Sequence, residues 1–321
     1  MHDTVPAQIK PVAAGRVAHN GRRRFPHADR VISLLLIAPS LIAIAVFVYG
    51  FIGFTAFASF TKWDNLAPDF TFVGLRNYAR LFSTVRFQID LRNTVTFTAF
   101  FLVLCLSIGF MLAVLLDRRI RGEGVFRSIY LFPLALSFIV TGVVWRWLLN
   151  PGSAQLGATG VNLLLDSAGL GFLKTGWYTD PKIGIKAVAI AAVWQMSGYV
   201  MAMYLAGLRG IPEELREAAL VDGASEIQVY RHIIVPLLNP ITLGAMIILG
   251  HSSLKIFDLV VAMTGPGPGF SSDVPALFMF DTTFRGNNFA QGAGIAVILL
   301  VMVAVLIVPY LLYSLRTEAQ R

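Results

Sequence analysis

Charge is scarce in this 321-residue sequence: Asp, Glu, Lys and Arg together make up 14% of it, against roughly 25% in soluble domains. A soluble chain of this length needs a polar coat for one or two domains, and the charge to build one is missing. Cysteine is almost absent as well. Cys105 is the only one, it lies in an apolar run, and an intrachain disulfide framework is excluded. No tandem repeat at a fixed 20–50-residue period is present. What fills the sequence is apolar residues, 56% of the total, enough to offset the entropy of ordering and to exclude disorder. The net charge of +8 is spread between apolar runs and forms no single basic face. That pattern marks membrane topology, with no nucleic-acid partner.

A membrane-spanning helix needs about 20 mostly apolar residues, and six segments meet that requirement: 31–60, 93–116, 128–149, 183–208, 237–263 and 291–315. Ten-residue alternating segments, the mark of a barrel, are absent, so the expected fold is all-α with six transmembrane helices. The N-terminal tail, the 117–127 and 209–232 loops and the C-terminal end carry fifteen Lys and Arg. The longer opposite loops, 61–92, 150–182 and 264–290, carry eight. The positive-inside rule then places both termini in the cytoplasm. Residues 1–30, with Arg22-Arg23-Arg24, read as a disordered basic tail; 31–315 as the transmembrane domain; 316–321 as a second cytoplasmic tail. The run after the arginines is too long for a signal peptide, whose apolar core is 7–15 residues.

Opposite the cytoplasm, 150–182 is rich in Gly and predicts turns around one short helix. The stretch Thr264-Gly265-Pro266-Gly267-Pro268-Gly269-Phe270 predicts a sharp turn. Prolines 133 and 309 predict kinks in the third and sixth spans. The loop 210–236 has the most specific pattern. Pro212 suits a first helical turn, and Glu213, Glu214 and Glu217 suit the positive end of a helix dipole. Leu215, Ala218 and Ala219 predict a small-residue stripe. Gly223 fits the left-handed position past a helix end, and Ser225 with Gln228 predicts a capping box. Two short helices meeting at an elbow follow.

Glu217-Ala218-Ala219, Gly223 and Ile233 to Pro236 resemble the EAA loop of permease subunits of binding-protein-dependent ABC importers, with Val235 standing where the family has Leu. Over about residues 30–316 the chain is similar to the maltose-type F permeases of sugar importers. Ala38-Pro39-Ser40, Phe72 to Tyr78, Asn93-Thr94, Arg127 to Pro133, Trp145-Arg146-Trp147 and Asp273 to Leu277 carry that likeness. Gln195 to Tyr199 and Leu254 to Asp258 look most like glucose/mannose-type permeases.

The resemblance implies a type I ABC importer permease fold in a prokaryotic inner membrane, working as a non-catalytic subunit. It further implies a second permease, two cytoplasmic ATPase subunits and an external sugar-binding protein as partners. ATP and Mg would be bound by the ATPases, and no cofactor is expected in this chain. Glu213, Glu214, Glu217, Ala218, Ala219, Asp222, Gly223, Ser225 and Pro236 would make the coupling loop. An ion-coupled carrier is the alternative of another class, and a polyol, glycerol phosphate or oligosaccharide importer the alternative within it.

Polar groups inside spans are candidates for a solute path. Gln195, Ser197 and Tyr199 beside Trp194 either bind sugar hydroxyls and ring faces or bond between helices. His251, Ser252, Lys255 and Asp258 share helical spacings of three and four. For His251 and Ser252 the choice is cavity lining or packing. Lys255 with Asp258 suggests an ion pair or a gate. Trp145-Arg146-Trp147 reads as an interfacial belt. No P-loop occurs, and neither a metal-ligand spacing nor a serine-hydrolase elbow is present.

Overall fold

The computed structural model describes residues 26–118, 121–153, 155 and 157–318. The expected disordered tail lies outside the described residues up to position 25, but 26–30 are already helical. Two units divide the chain at Ile52/Gly53. The first holds α1 (Pro26–Ile44) and a π-helical turn (Ala45–Gly50), with its described apolar side chains largely exposed. Through α2 (Phe51–Ser59), the stretch Leu35–Ser59 is long and apolar enough to span a bilayer.

The rest of the chain is helical too: α3 (Arg76–Ser83), α4 (Val85–Asp117), α5 (Glu123–Leu131), α6 (Phe138–Leu148), α7 (Gly160–Ser167), α8 (Gly184–Arg209), α9 (Glu213–Val221), α10 (Glu226–Val229), α11 (Val235–Leu237), α12 (Asn239–Leu254), α13 (Asp258–Met263), α14 (Pro275–Phe280) and α15 (Phe289–Glu318). The core is α8 against α4. Ala187, Ala189, Ala191 and Ala192 of α8 are fully buried, as are Phe97, Cys105 and Ala113 of α4. Gly109 lets the two backbones close up, since a methyl there would meet Val200 at 2.6 Å. Gly142 does the same for α6 and α13 against Ala262.

Three expectations are corrected. The third span is not one rod: Glu123–Ala135 and Phe138–Leu148 meet at 101°. Pro133 holds the first part in a 3₁₀ turn (Phe132–Ala135), and Ser137 caps a fresh helix by accepting the Val140 N–H. The fifth span is broken twice. Glu226–Leu237 and Asn239–Leu254 meet at 62°, where Pro240 starts α12, and a second break at 255–257 separates α12 from α13. Pro236 follows a π-helical turn, Tyr230–Ile234, the local rewinding that a missing N–H invites, and the bend itself lies beyond it. The third correction concerns the 61–92 and 264–290 loops, which contain α3, the start of α4 and α14. α3 and the start of α4 mix polar with apolar residues, and α14 is apolar but only six residues long, so a search for long apolar runs passes over all three. Pro309 sits inside α15, which continues to Glu318 and so takes in 316–318 of the expected tail; 319–321 lie outside the described residues.

Within 150–182 the expected short helix is α7. It is held by Asn162, which accepts the Trp177 indole N–H at 2.8 Å and donates to the Thr175 carbonyl at 2.9 Å. The 264–270 turn has Gly265, Gly267 and Gly269 at φ of 58–69°, a region closed to most side chains.

Candidate functional site

The 210–236 loop folds as two short helices with both predicted joints in place. Glu213 and Glu214 occupy the first turn of α9. Past its end, Gly223 adopts φ 86°. The Gly223 N–H donates to Leu220 and the Ala224 N–H to Ala219, the paired closure of a glycine-terminated helix. Ser225 then opens α10: its backbone N–H donates to Gln228 Oε1 at 2.7 Å, and its hydroxyl accepts the Gln228 N–H. Across the elbow, Arg216 bonds Glu226 at 2.8 Å. Behind it, Arg209 at the end of α8 bonds Glu123 at 2.7 Å. A polar cleft of about 700 Å³ opens here between Asp117, Arg118, Arg209, Glu213, Arg216 and Glu226.

The outward face of the elbow differs from the expected stripe. Glu217, Ala218 and Asp222 are exposed, and Leu215 is 45% exposed. Ala219 instead turns inward and packs on the core with Ala224. Val221 at 86% and Ile227 at 79% exposure complete the apolar part of the face. They lie on the two different helices of the elbow, so the spacing within either one does not pair them.

The span residues fall into separate places. Gln195 is buried, and its amide donates to the Leu136 carbonyl at 2.7 Å, a group freed by the break between α5 and α6. Its Oε1 is enclosed without a partner. Ser197 is buried and Tyr199 half-buried against the core. Trp145 meets Trp194 edge-on at 6.0 Å, while Trp147 is 71% exposed, so only part of the expected belt faces outward. Ser252 bonds back to the Ile248 carbonyl, and His251 Nδ1 is enclosed without a partner. Among the described residues Lys255 and Asp258 form no ion pair. The break at 255–257 takes them off a common helical face, and both are exposed.

Residues 106–317 match the family model described as binding-protein-dependent transport system inner membrane component. The chain belongs to that family. This permease is 45% identical over 92% of its length, and 99% of the relative's, to a probable ABC transporter permease protein of Pyrococcus horikoshii. It is 37% identical to the xylose/arabinose import permease of Haloferax volcanii, covering 91% of this chain and 90% of that one. With the trehalose/maltose permease of Thermococcus litoralis it shares 30% over 91% and 97%. Among solved structures, a bacterial importer of the acidic polysaccharide alginate shares the fold, with TM-score 0.71 and 21% identity over 87% of this chain and 94% of that one. The permease is therefore a multi-pass inner-membrane component with a transport fold.

Sequence reading passed over one polar cluster in this permease. Arg86, in the second residue of α4, reaches Asp273 at 2.5 Å and Asp281 at 2.7 Å. Asn93, at the start of the second apolar run, is buried inside α4, and its amide donates to the carbonyls of Phe270 and Asp273. Its partners lie some 180 residues away, so no local spacing signals it.

Proposed function

We propose that this permease is half of the translocation path of an ATP-driven carbohydrate importer and that its elbow, 213–228, docks on a separate ATPase subunit. The observation that carries the reading is the elbow itself. Two caps and the Arg216–Glu226 bond fix its angle, while Glu217, Ala218, Val221 and Ile227 stay uncovered. A rigid apolar patch edged by a carboxylate suits a concave protein surface, and rigidity lets a push on the elbow move α8 and α12 without being absorbed locally.

Carbohydrate as the solute is supported by relatives named for xylose/arabinose and trehalose/maltose, and by the shared fold with an alginate importer. A second permease would supply the other half of the path, and an external binding protein would deliver the sugar. ATP and Mg would act on the ATPase chains. The elbow and both termini would then be cytoplasmic. Gln195 Oε1 and His251 Nδ1, buried acceptor or donor atoms without partners, are the span groups best suited to meet sugar hydroxyls.

The test is Glu217→Lys in the assembled importer. Uptake should stop, and co-purification of the ATPase should weaken at least tenfold, while the permease remains at its usual level in the membrane. Undiminished ATPase capture together with normal uptake would remove the elbow from coupling.

A further inference from the structure

Three carboxyl groups and two guanidinium groups meet where the start of α4 faces the segment 270–285. Arg86 Nε donates to Asp273 and Nη2 to Asp281, while Arg285 Nη1 donates to the other Asp281 oxygen at 2.9 Å. The Arg86 guanidinium also lies over the rings of Phe270 and Phe278, 5.1 and 4.6 Å from their centroids. Asp273 Oδ1 accepts the Val274 N–H at 3.0 Å, and the Asp273 side chain is fully enclosed. These contacts tie the turn 270–274 to the first turns of α4, which carry Arg86, Asp90 and Arg92 and precede the apolar run beginning at Asn93.

Asp90 stands one helical turn beyond Arg86 and is 0% exposed. Both of its carboxyl oxygens are enclosed without a donor. Arg86 and Asn93, a turn to either side of Asp90 on α4, hold the Asp273 carboxyl and carbonyl, which brings the enclosed Asp273 carboxyl, an acceptor like Asp90 when both are ionised, to the same stretch of helix. Counting charges, Arg86 and Arg285 offset two of the three carboxylates, and one negative charge is left on the group that no water or donor reaches. A charge so placed is not tolerated in a protein interior. One positive charge is missing.

Among the described residues no neighbouring element supplies it. On α8, Lys186 lies over Phe100, 5.3 Å from the ring and more than two turns further along α4. On α4 and α3, Arg92 and Arg80 are exposed, as are Lys255 and Asp258 around the α12–α13 break. The described residues contain no group of three or more His, Cys, Asp or Glu suited to a metal ion. Burial also pushes the Asp273 carboxyl upward, against the pull of the Arg86 guanidinium.

We propose that Asp90 and Asp273 bind one proton between them, forming a proton site that fastens the turn 270–274 to α4. The Asp90 O–H donates to the Asp273 carboxylate, which keeps its bonds from Arg86 and Val274. Loss of the proton sets two carboxylates against each other and loosens the turn. Folding of this region then takes up a proton, so its folding equilibrium falls by up to tenfold per pH unit over the interval where the unfolded carboxyl is ionised and the folded pair still holds its proton.

The test uses the intact importer and two readouts that involve no transport. Infrared spectroscopy at about pH 7 should show a protonated-carboxyl band that shifts in heavy water and is lost in Asp90→Asn. The wild-type Tm should fall from about pH 6 to about pH 9, and that of Asp90→Asn, neutral throughout and able to donate an amide N–H, should stay level. Where Asp90→Asn does not assemble, Asp90→Glu must shift the band. A band unchanged by either variant overturns the proposal. So does a wild type without the band whose Tm rises with sodium at constant ionic strength, since the site then holds a cation. Failure of sugar uptake would leave both readouts standing, and their failure would leave the carbohydrate reading untouched.

Discussion

Gly198 shows how much one missing side chain decides. It lies in α8 directly against the Tyr130 carbonyl, so that a Cβ there would run into that oxygen. Backbone cannot step aside as a flexible side-chain tip can. Gly198→Ala should therefore cost about 1–3 kcal/mol, the range for overpacking a close contact, read as a lower Tm of the purified importer. Gly223 is different. A methyl there would meet nothing, and its φ of 86° alone demands glycine. The second role was legible from spacing, since a glycine one position past a helix end has a local reason. The first was not, because Tyr130 and Gly198 come together only when α5 packs on α8. The same separation explains why Asp90 passed unnoticed, while Gln195 could be named but its partner could not.

At the scale of elements, apolar length located most spans and missed their breaks. Length measures whether a helix could cross the hydrocarbon, and a chain with Pro133 and Ser137 in its middle satisfies that test while folding back at 101°. The break survives because its loose ends are satisfied: Ser137 caps α6, and Gln195 takes the Leu136 carbonyl. Ser137→Ala should remove the cap at about 1 kcal/mol, lowering Tm modestly, and Ser137→Asn, which restores an acceptor, should recover it. Short amphipathic elements were invisible for the opposite reason. α3 buries Asn77, whose amide donates to the Ser59 and Thr61 carbonyls at 2.9 and 2.8 Å, a polar role that an apolar criterion discards.

For the whole molecule, the distribution of Lys and Arg sets an expectation that a labelling experiment can read. Cys105 is buried and should stay silent toward a membrane-impermeant maleimide. Glu214→Cys, on the exposed elbow, should react only from the cytoplasmic face, and Ser167→Cys, at the exposed end of α7, only from the opposite one. Exchange of the two faces would reverse the topology, and labelling of both from one side would overturn it. The sequence by itself determined the membrane class, the approximate spans, the family likeness and the two joints of the elbow, because hydrophobic length and helix caps act over a few residues. Only the tertiary structure decided where spans break, which face of the elbow is uncovered and that Arg86, Asp90 and Asp273 meet. Those outcomes depend on groups far apart in the chain, about 60 residues for Gln195 and Leu136 and about 180 for Asn93 and Asp273, competing for the same buried space, and nothing local in the chain records who wins.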